Sequence, residues 1–276
     1  MQQSMLAKID GLGFGYHQKP LFKDLDLKLE SGNIYGLLGK NGAGKTTLLK
    51  LLVGQLFAQE GRMEVLDHEP KVRSPKLLEE IFYLSEEFYL PRMKSETYLA
   101  MLAPFYPRFN RATFDRYAQE FELDLSVRLD RMSLGQKKKY MLTFGLASNT
   151  KLLVMDEPTN GLDIPSKRQF RQIVASAMNE ERTFIISTHQ VRDMEGLIDP
   201  IIVLDAGKVI FNEGLERIVD TYVLENLAVE PDEEVLYKEK VFGGYLVLRK
   251  REEAADAAAL DLEAIFNIII QRGGNL

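Results

Sequence analysis

At 276 residues the chain is long enough for one large domain, or one domain with a small appendage, and too short for two full enzymes. Its 45% hydrophobic and 28% charged residues exclude a disordered or fibrous chain, and 35 basic against 41 acidic side chains, a net charge of -6, argue against a protein that grips nucleic acid chiefly through its overall field. Without cysteine there are no disulfides and no thiolate chemistry, the three histidines (His17, His68, His189) cannot form a zinc cage without carboxylates, and neither a secretory leader nor a run of ~18 apolar residues is expected.

In chain order, apolar alternation around 6–9 and 25–29 predicts two strands, with the glycine-rich 11–16 between them read as turn. Residues 34–38 are an apolar run too short for a helix. They lead through glycines into an apolar-rich segment ending near Leu56, which reads as strand, glycine loop, helix. From about 75 to 150 the apolar spacing is helical, with breaks at Pro91, Pro104 and Pro107. Residues 152–155 and 184–187 read as strands buried on both faces, joined by a helix over about 166–179. Next, 201–204 and 209–211 flank Ala206-Gly207 as a hairpin. The composition changes near Thr221: 235–239 and 245–249 alternate across Phe242-Gly243-Gly244, and an alanine-rich helical pattern follows over 252–271. This predicts a main domain over 1–220 and an accessory module of two strands and a helix over 221–276.

Gly39-Lys40-Asn41-Gly42-Ala43-Gly44-Lys45-Thr46 matches G-x-x-x-x-G-K-[ST] in the strand-to-helix setting that gives the motif its meaning. A triphosphate is densely anionic. A loop of small residues lets successive backbone N–H groups converge on it, while the helix behind presents the positive end of its dipole. Gly42 and Gly44 permit the close approach, and the cradle runs from Gly39 through Lys40, Asn41 and Ala43 to Thr47. Lys45 is the point charge for the terminal phosphates and Thr46 the hydroxyl that helps hold Mg2+.

The run 152–155 ends in Asp156-Glu157-Pro158. Neighbouring strand residues point to opposite faces, so the two acids are expected to divide the work. Asp156 would hold Mg2+, directly or through water, and Glu157 would face the attacking water as base or positioning group. Alone, such a triplet also reads as a plain strand end and turn; the phosphate loop gives it weight.

Upstream of that pair, Met132-Ser133-Leu134-Gly135-Gln136 resembles the L-S-G-G-Q signature of ATP-binding cassette (ABC) proteins, and the order of motifs from Tyr16 to about Gly214 is similar to an ABC nucleotide-binding domain. The resemblance implies the fold class. This is α/β, a P-loop NTPase core with a mainly parallel sheet, an antiparallel β subdomain, a helical subdomain (about 75–150) and a small α+β C-terminal extension. It implies ATP and Mg2+ as cofactors and a head-to-tail pair, in which Ser133, Gly135 and Gln136 of one domain close over the ATP held by the other. A hydroxyl and backbone N–H donors at a helix start suit a γ-phosphate. Residue by residue, the resemblance places Tyr16 against adenine by stacking, with a strand-edge core aromatic as the plainer reading and Phe14 as a substitute. It places His189, in Ser187-Thr188-His189, on the γ-phosphate. Asp163 falls in the dimer-facing loop 160–163, where it can equally cap the helix begun by Ile164-Pro165.

Two positions depart from the family pattern. Glu86 stands where ABC domains usually have glutamine; it keeps an oxygen for Mg2+ or water, adds a charge, and joins Lys45, Glu157 and His189 in the expected catalytic set. Leu134 replaces the first signature glycine, which is tolerable where its side chain points away from the nucleotide. Lys137-Lys138-Lys139 reads as a solvated helix face, with a basic contact to phosphate or an anionic surface as the alternative. Three lysines in a first turn oppose the helix dipole and hint at a compensating charge. The stretch 261–266 resembles the tail of exporter-associated ABC subunits.

For function, the resemblance implies an ATP-hydrolysing subunit beneath a separately encoded integral membrane permease, paired with a second copy or a homologous ATPase subunit. It would be cytoplasmic, peripheral on the inner face of the cell membrane, without a direct nucleic-acid partner, and Glu86 and the tail hint at export. The competing readings are a soluble ABC ATPase acting on ribosomes or DNA, whose relatives generally carry two cassettes or a long coiled-coil insertion, and a P-loop kinase. The kinase reading leaves the signature and Ser187-Thr188-His189 unexplained.

Overall fold

The structure is a computed structural model and describes residues 4–17, 19–231, 235–251 and 261–276. In chain order its elements are β1 (Met5–Tyr16), β2 (Lys19–Glu30), β3 (Ile34–Leu38), α1 (Lys45–Leu52), β4 (Glu60–Val65), α2 (Pro75–Leu78), β5 (Ile81–Leu84), α3 (Ser95–Leu102), α4 (Arg111–Glu120), α5 (Leu134–Ala147), β6 (Leu152–Asp156), α6 (Ile164–Ala177), β7 (Thr183–Thr188), β8 (Ile201–Asp205), β9 (Lys208–Glu213), α7 (Leu215–Thr221), β10 (Tyr222–Leu227), β11 (Tyr237–Val241), β12 (Gly244–Lys250) and α8 (Leu262–Gln271).

A six-stranded sheet runs β5-β6-β7-β3-β8-β9, parallel except for β9. Its inner strands read as unbroken apolar runs because both faces are covered. With a period of two, Leu152 and Val154 pack into the core shared with α1, β1 and β2, whereas Leu153 and Met155 pack into the core shared with the helices. Ile185 and its neighbours Phe184 and Ile186 divide the same way on β7. On the helical side α5 is central. It is buried on almost every face over 140–147, as a helix inside a core must be.

The second sheet is antiparallel, in the order β2-β1-β4. The glycine-rich stretch expected as a turn lies inside β1: Leu12 and Phe14 are buried, and breaks in register with β2 between Ile9 and Gly15 absorb the extra residues as bulges. The chain reverses only after Tyr16. β4 and β5 were not expected. Val65 is the one buried residue of β4, so no alternation marks it, and β5 is too short for periodicity to separate it from the helices around it.

After α7 a third sheet, β10-β12-β11, holds three strands where two were expected. α8 is capped by Asp261, which accepts from the N–H groups of Glu263 and Ala264, and it buries Leu262, Ile265, Ile268 and Ile269 in the same core as α5 and α6. Of the helix expected over 252–271, residues 252–260 lie outside the described residues.

Candidate functional site

Between β3 and α1 the loop 39–44 turns through Gly42 (φ 81) and Gly44 (φ 109). A Cβ on Gly44 would come within 2.8 Å of the Phe22 ring, so conformation and space both demand glycine there. No side chain caps α1, and its first N–H groups open onto the loop. Lys45, 7% exposed, folds back along it: Nζ donates to the Gly39 carbonyl at 2.7 Å and the Lys40 carbonyl at 3.4 Å, and lies 4.0 Å from Glu157 Oε1. Burial lowers the pKa of Lys45, and the carboxylates of Glu157, Asp156 and Glu86 oppose that shift.

Asp156 closes β6 with the parity of Leu152 and Val154, on the α1 side. It is buried, with Ser187 Oγ donating to Oδ1 and Tyr83 Oη donating to Oδ2 at 3.4 Å. Burial and the neighbouring Asp156 charge raise the pKa of Tyr83, which keeps the phenol a donor.

The expected alternation stops at Asp156. Glu157 has φ 47, a left-handed value rare outside glycine, and its N–H donates to Ser187 O at 3.1 Å and Ser187 Oγ at 3.2 Å. That turn directs Glu157 back toward Lys45, with His189 Nδ1 2.8 Å from Glu157 Oε1. The two acids therefore converge on Lys45 instead of dividing between opposite faces. Glu157 Oε2 is buried and has no hydrogen-bond partner among the described residues, an acceptor left for a group the chain itself does not supply.

The lysine run is not a solvated face. Lys138 is 2% exposed; its Nζ donates to Glu157 O at 3.1 Å and Glu86 O at 3.4 Å and lies 5.9 Å from the Phe88 ring centre. Lys139 donates to Phe121 O and Gln169 Oε1. The compensating charge is the cluster of Glu86, Asp156 and Glu157, which opposes the pKa lowering that burial imposes on Lys138. The helical stripe Lys138, Met141, Leu142, Gly145 was the available signal, masked by the charge at its first position. Beside it the exposed Glu86 accepts from Asn160 Nδ2 at 2.9 Å, and Asn160 Oδ1 accepts from Gln190 Nε2 at 3.3 Å. Sequence reasoning missed Tyr83, Ser187, Asn160 and Gln190 as members of this site.

Ser133, Gly135 and Gln136 are placed elsewhere. Ser133 and Gln136 form a capping box on α5: Ser133 Oγ accepts from Gln136 N at 3.2 Å, and Gln136 Oε1 accepts from Ser133 N at 2.9 Å. They line a groove of about 400 Å3 with Gly135, Gly161 and Asp163, not with the phosphate loop. Leu134 is 66% exposed at its rim. Asp163 caps α6, accepting from Ser166 N at 2.9 Å, and the Ser166 hydroxyl together with that N–H holds its carboxyl below the usual range. At the other end of the site, Tyr16 is half-exposed with Oη 3.2 Å from Thr47 Oγ1; Phe14 meets it edge-on but is buried, which removes it as a substitute stacking face.

Residues 22–160 match the family described as ABC transporter. The chain belongs to the ABC transporter family. It is an ATPase of that family, and its α/β fold with a mainly parallel sheet is the P-loop fold of ABC ATPases. Among its relatives, the ABC transporter ATP-binding protein YtrB of Bacillus subtilis is 27% identical over 80% of this chain and 76% of its own length. The Nod factor export ATP-binding protein I of Neorhizobium galegae is 28% identical over 83% of this chain and 69% of its own. The solved structure of an ATP-binding subunit of an ABC transporter shares the fold at a TM-score of 0.70 and 24% identity, over 77% of this chain and 91% of that one.

Proposed function

We propose that this ABC ATPase is the ATP-hydrolysing subunit of an exporter, and that two such subunits close head to tail over ATP beneath a separate membrane permease. The observation that carries the reading is the division of the site. Lys45, Asp156, Glu157 and His189 gather around the phosphate loop, while Ser133, Gly135 and Gln136 open on their own groove beside Asp163. A copy turned head to tail brings the second group to the first. In this reading residues 1–220 are the nucleotide-binding domain and 221–276 an accessory extension.

The loop 39–47 receives the phosphates on its backbone N–H groups, and the exposed ring of Tyr16 offers a face to adenine. Lys45 exchanges its bonds to the Gly39 and Lys40 carbonyls for phosphate oxygens. Among the described residues no three His, Asp or Glu side chains form a cation cage, but Mg2+ takes only one or two protein oxygens beside substrate phosphates. The buried Asp156 carboxylate and the Thr46 hydroxyl fit that donor set, with Glu86 as a further oxygen. When bound, the ion supplies neutralising charge to the transferring phosphoryl group. Glu157 orients the attacking water and takes its proton, with the unpartnered Oε2 as the acceptor. His189, held on Oε1, fixes the rotation of that carboxylate and reaches toward the γ-phosphate.

Export is supported by the name of the Neorhizobium relative. Among the described residues no helix is long and apolar enough to cross a membrane, and the permease is assigned to a partner by the reading itself. A Ser133→Arg variant tests the divided site. It is expected to bind ATP as a single copy and to lose ATP-driven pairing and hydrolysis together, whereas an unchanged hydrolysis rate would refute the division. Detergent extraction should yield a stoichiometric complex with an integral membrane protein; sedimentation with ribosomes or DNA instead would refute the transport role.

A further inference from the structure

We infer that Lys138 is a positioning residue that fixes the backbone of Glu157 and thereby sets that carboxylate for hydrolysis; the inference rests on the reading of Glu157 as the group that handles the water. Lys138 belongs to α5, the helix that Ser133 opens, yet its ammonium is spent inside the protein, on the carbonyls of Glu157 and Glu86. An ammonium is withdrawn from water at considerable cost unless dipoles and opposite charge replace its hydration. Two carbonyls and the field of three carboxylates do so here.

What these bonds hold is a backbone that needs holding. A left-handed φ at a glutamate persists only where its surroundings over-determine it. The following Pro158 has no N–H to contribute. From one side β7 grips Glu157 through the Ser187 carbonyl and hydroxyl. From the other, Glu157 O accepts from Asn160 N at 3.2 Å within the turn and from Lys138 Nζ at 3.1 Å, which comes from outside it. The ring then closes: Asn160 Nδ2 donates to Glu86 Oε1, and Glu86 O accepts from Lys138. Lys138 thus ties α5, the 85–87 segment and the 157–160 turn into one cycle around the carboxylate. A residue that only filled space would need neither the charge nor these acceptors.

The experiment is steady-state ATPase kinetics on Lys138→Met, which keeps most of the stem and removes the donor, and on Lys138→Gln, which keeps a shorter donor. Loss of positioning predicts that kcat falls about ten- to a hundred-fold in Lys138→Met, the range a slightly misplaced catalytic group brings, while KM for ATP stays within about two-fold. Lys138→Gln should fall in between. In the Glu157→Gln background, single-turnover hydrolysis of labelled ATP should show that Lys138→Met adds less than about two-fold, because the two changes act through one group. Unchanged kcat in either variant, a loss carried by KM, or the same loss persisting without the Glu157 carboxylate would overturn the inference. If Lys138→Met does not fold, Lys138→Gln carries the same comparisons. Glu157→Gln that keeps wild-type turnover would instead remove the reading beneath it.

Discussion

Replacing Ser187 with alanine isolates the joint that sets both acidic side chains. Ser187 is fully buried at the end of β7, donates its hydroxyl to Asp156 Oδ1 and accepts from Glu157 N at 3.2 Å. In Ser187→Ala the Glu157 N–H keeps its bond to the Ser187 backbone carbonyl at 3.1 Å, and Asp156 Oδ2 keeps Tyr83 at 3.4 Å. The net loss is one hydrogen bond to a buried carboxylate, about 1.5–3 kcal/mol. Large domains shift by about 2–4 °C per kcal/mol, so the thermal midpoint should fall by roughly 3–12 °C. Because Asp156 is also the proposed Mg2+ oxygen, hydrolysis should need more Mg2+ for half-maximal rate. Tyr83→Phe is the internal control: at 3.4 Å its bond to Oδ2 lies beyond the usual O–H···O range, so its effect on the midpoint should be smaller. Circular dichroism melting without nucleotide gives the first quantity and an ATPase titration with Mg2+ the second. A midpoint within a degree of wild type, or a greater cost for Tyr83→Phe, would refute the assignment of Ser187 as the main support of Asp156.

Tyr16→Ala should weaken ATP binding by about ten-fold, the worth of one aromatic face at ~1.5 kcal/mol, and leave kcat at saturating ATP near wild type. Equal affinity for Tyr16→Ala by calorimetry would return Tyr16 to the role of a strand-edge aromatic. Chelation of divalent metal should stop hydrolysis without moving the nucleotide-free melting midpoint, since among the described residues no cation cage stabilises the fold. A drop of several degrees on adding EDTA would contradict this.

The parts legible in the sequence are those whose cause is local. Eight consecutive residues specify the phosphate loop, and the apolar runs of β6 and β7 follow from a sheet covered on both faces. β4 left almost no trace because only Val65 turns inward. β10 stayed hidden because its residues are half-buried with no clear alternation. The continuation of β1 through its glycines depends on bulges against β2 that no single-strand pattern announces. At the site the failures are instructive. The alternation rule sends Asp156 and Glu157 apart, but the left-handed turn at Glu157 is held by Ser187, distant in sequence, so a rule about neighbours could not anticipate it. Lys138 was hidden for the opposite reason: its helical position is that of a core residue, and its side-chain type is that of a surface one.

The central claim, that a working site is divided between two chains joined by ATP, is tested most directly by sedimentation of Glu157→Gln. With saturating Mg·ATP this variant should run at twice the mass of one chain, return to single chains when nucleotide is removed, and fail to pair when Ser133→Arg is added. Single chains throughout at saturating Mg·ATP, despite demonstrated ATP binding, would contradict the account.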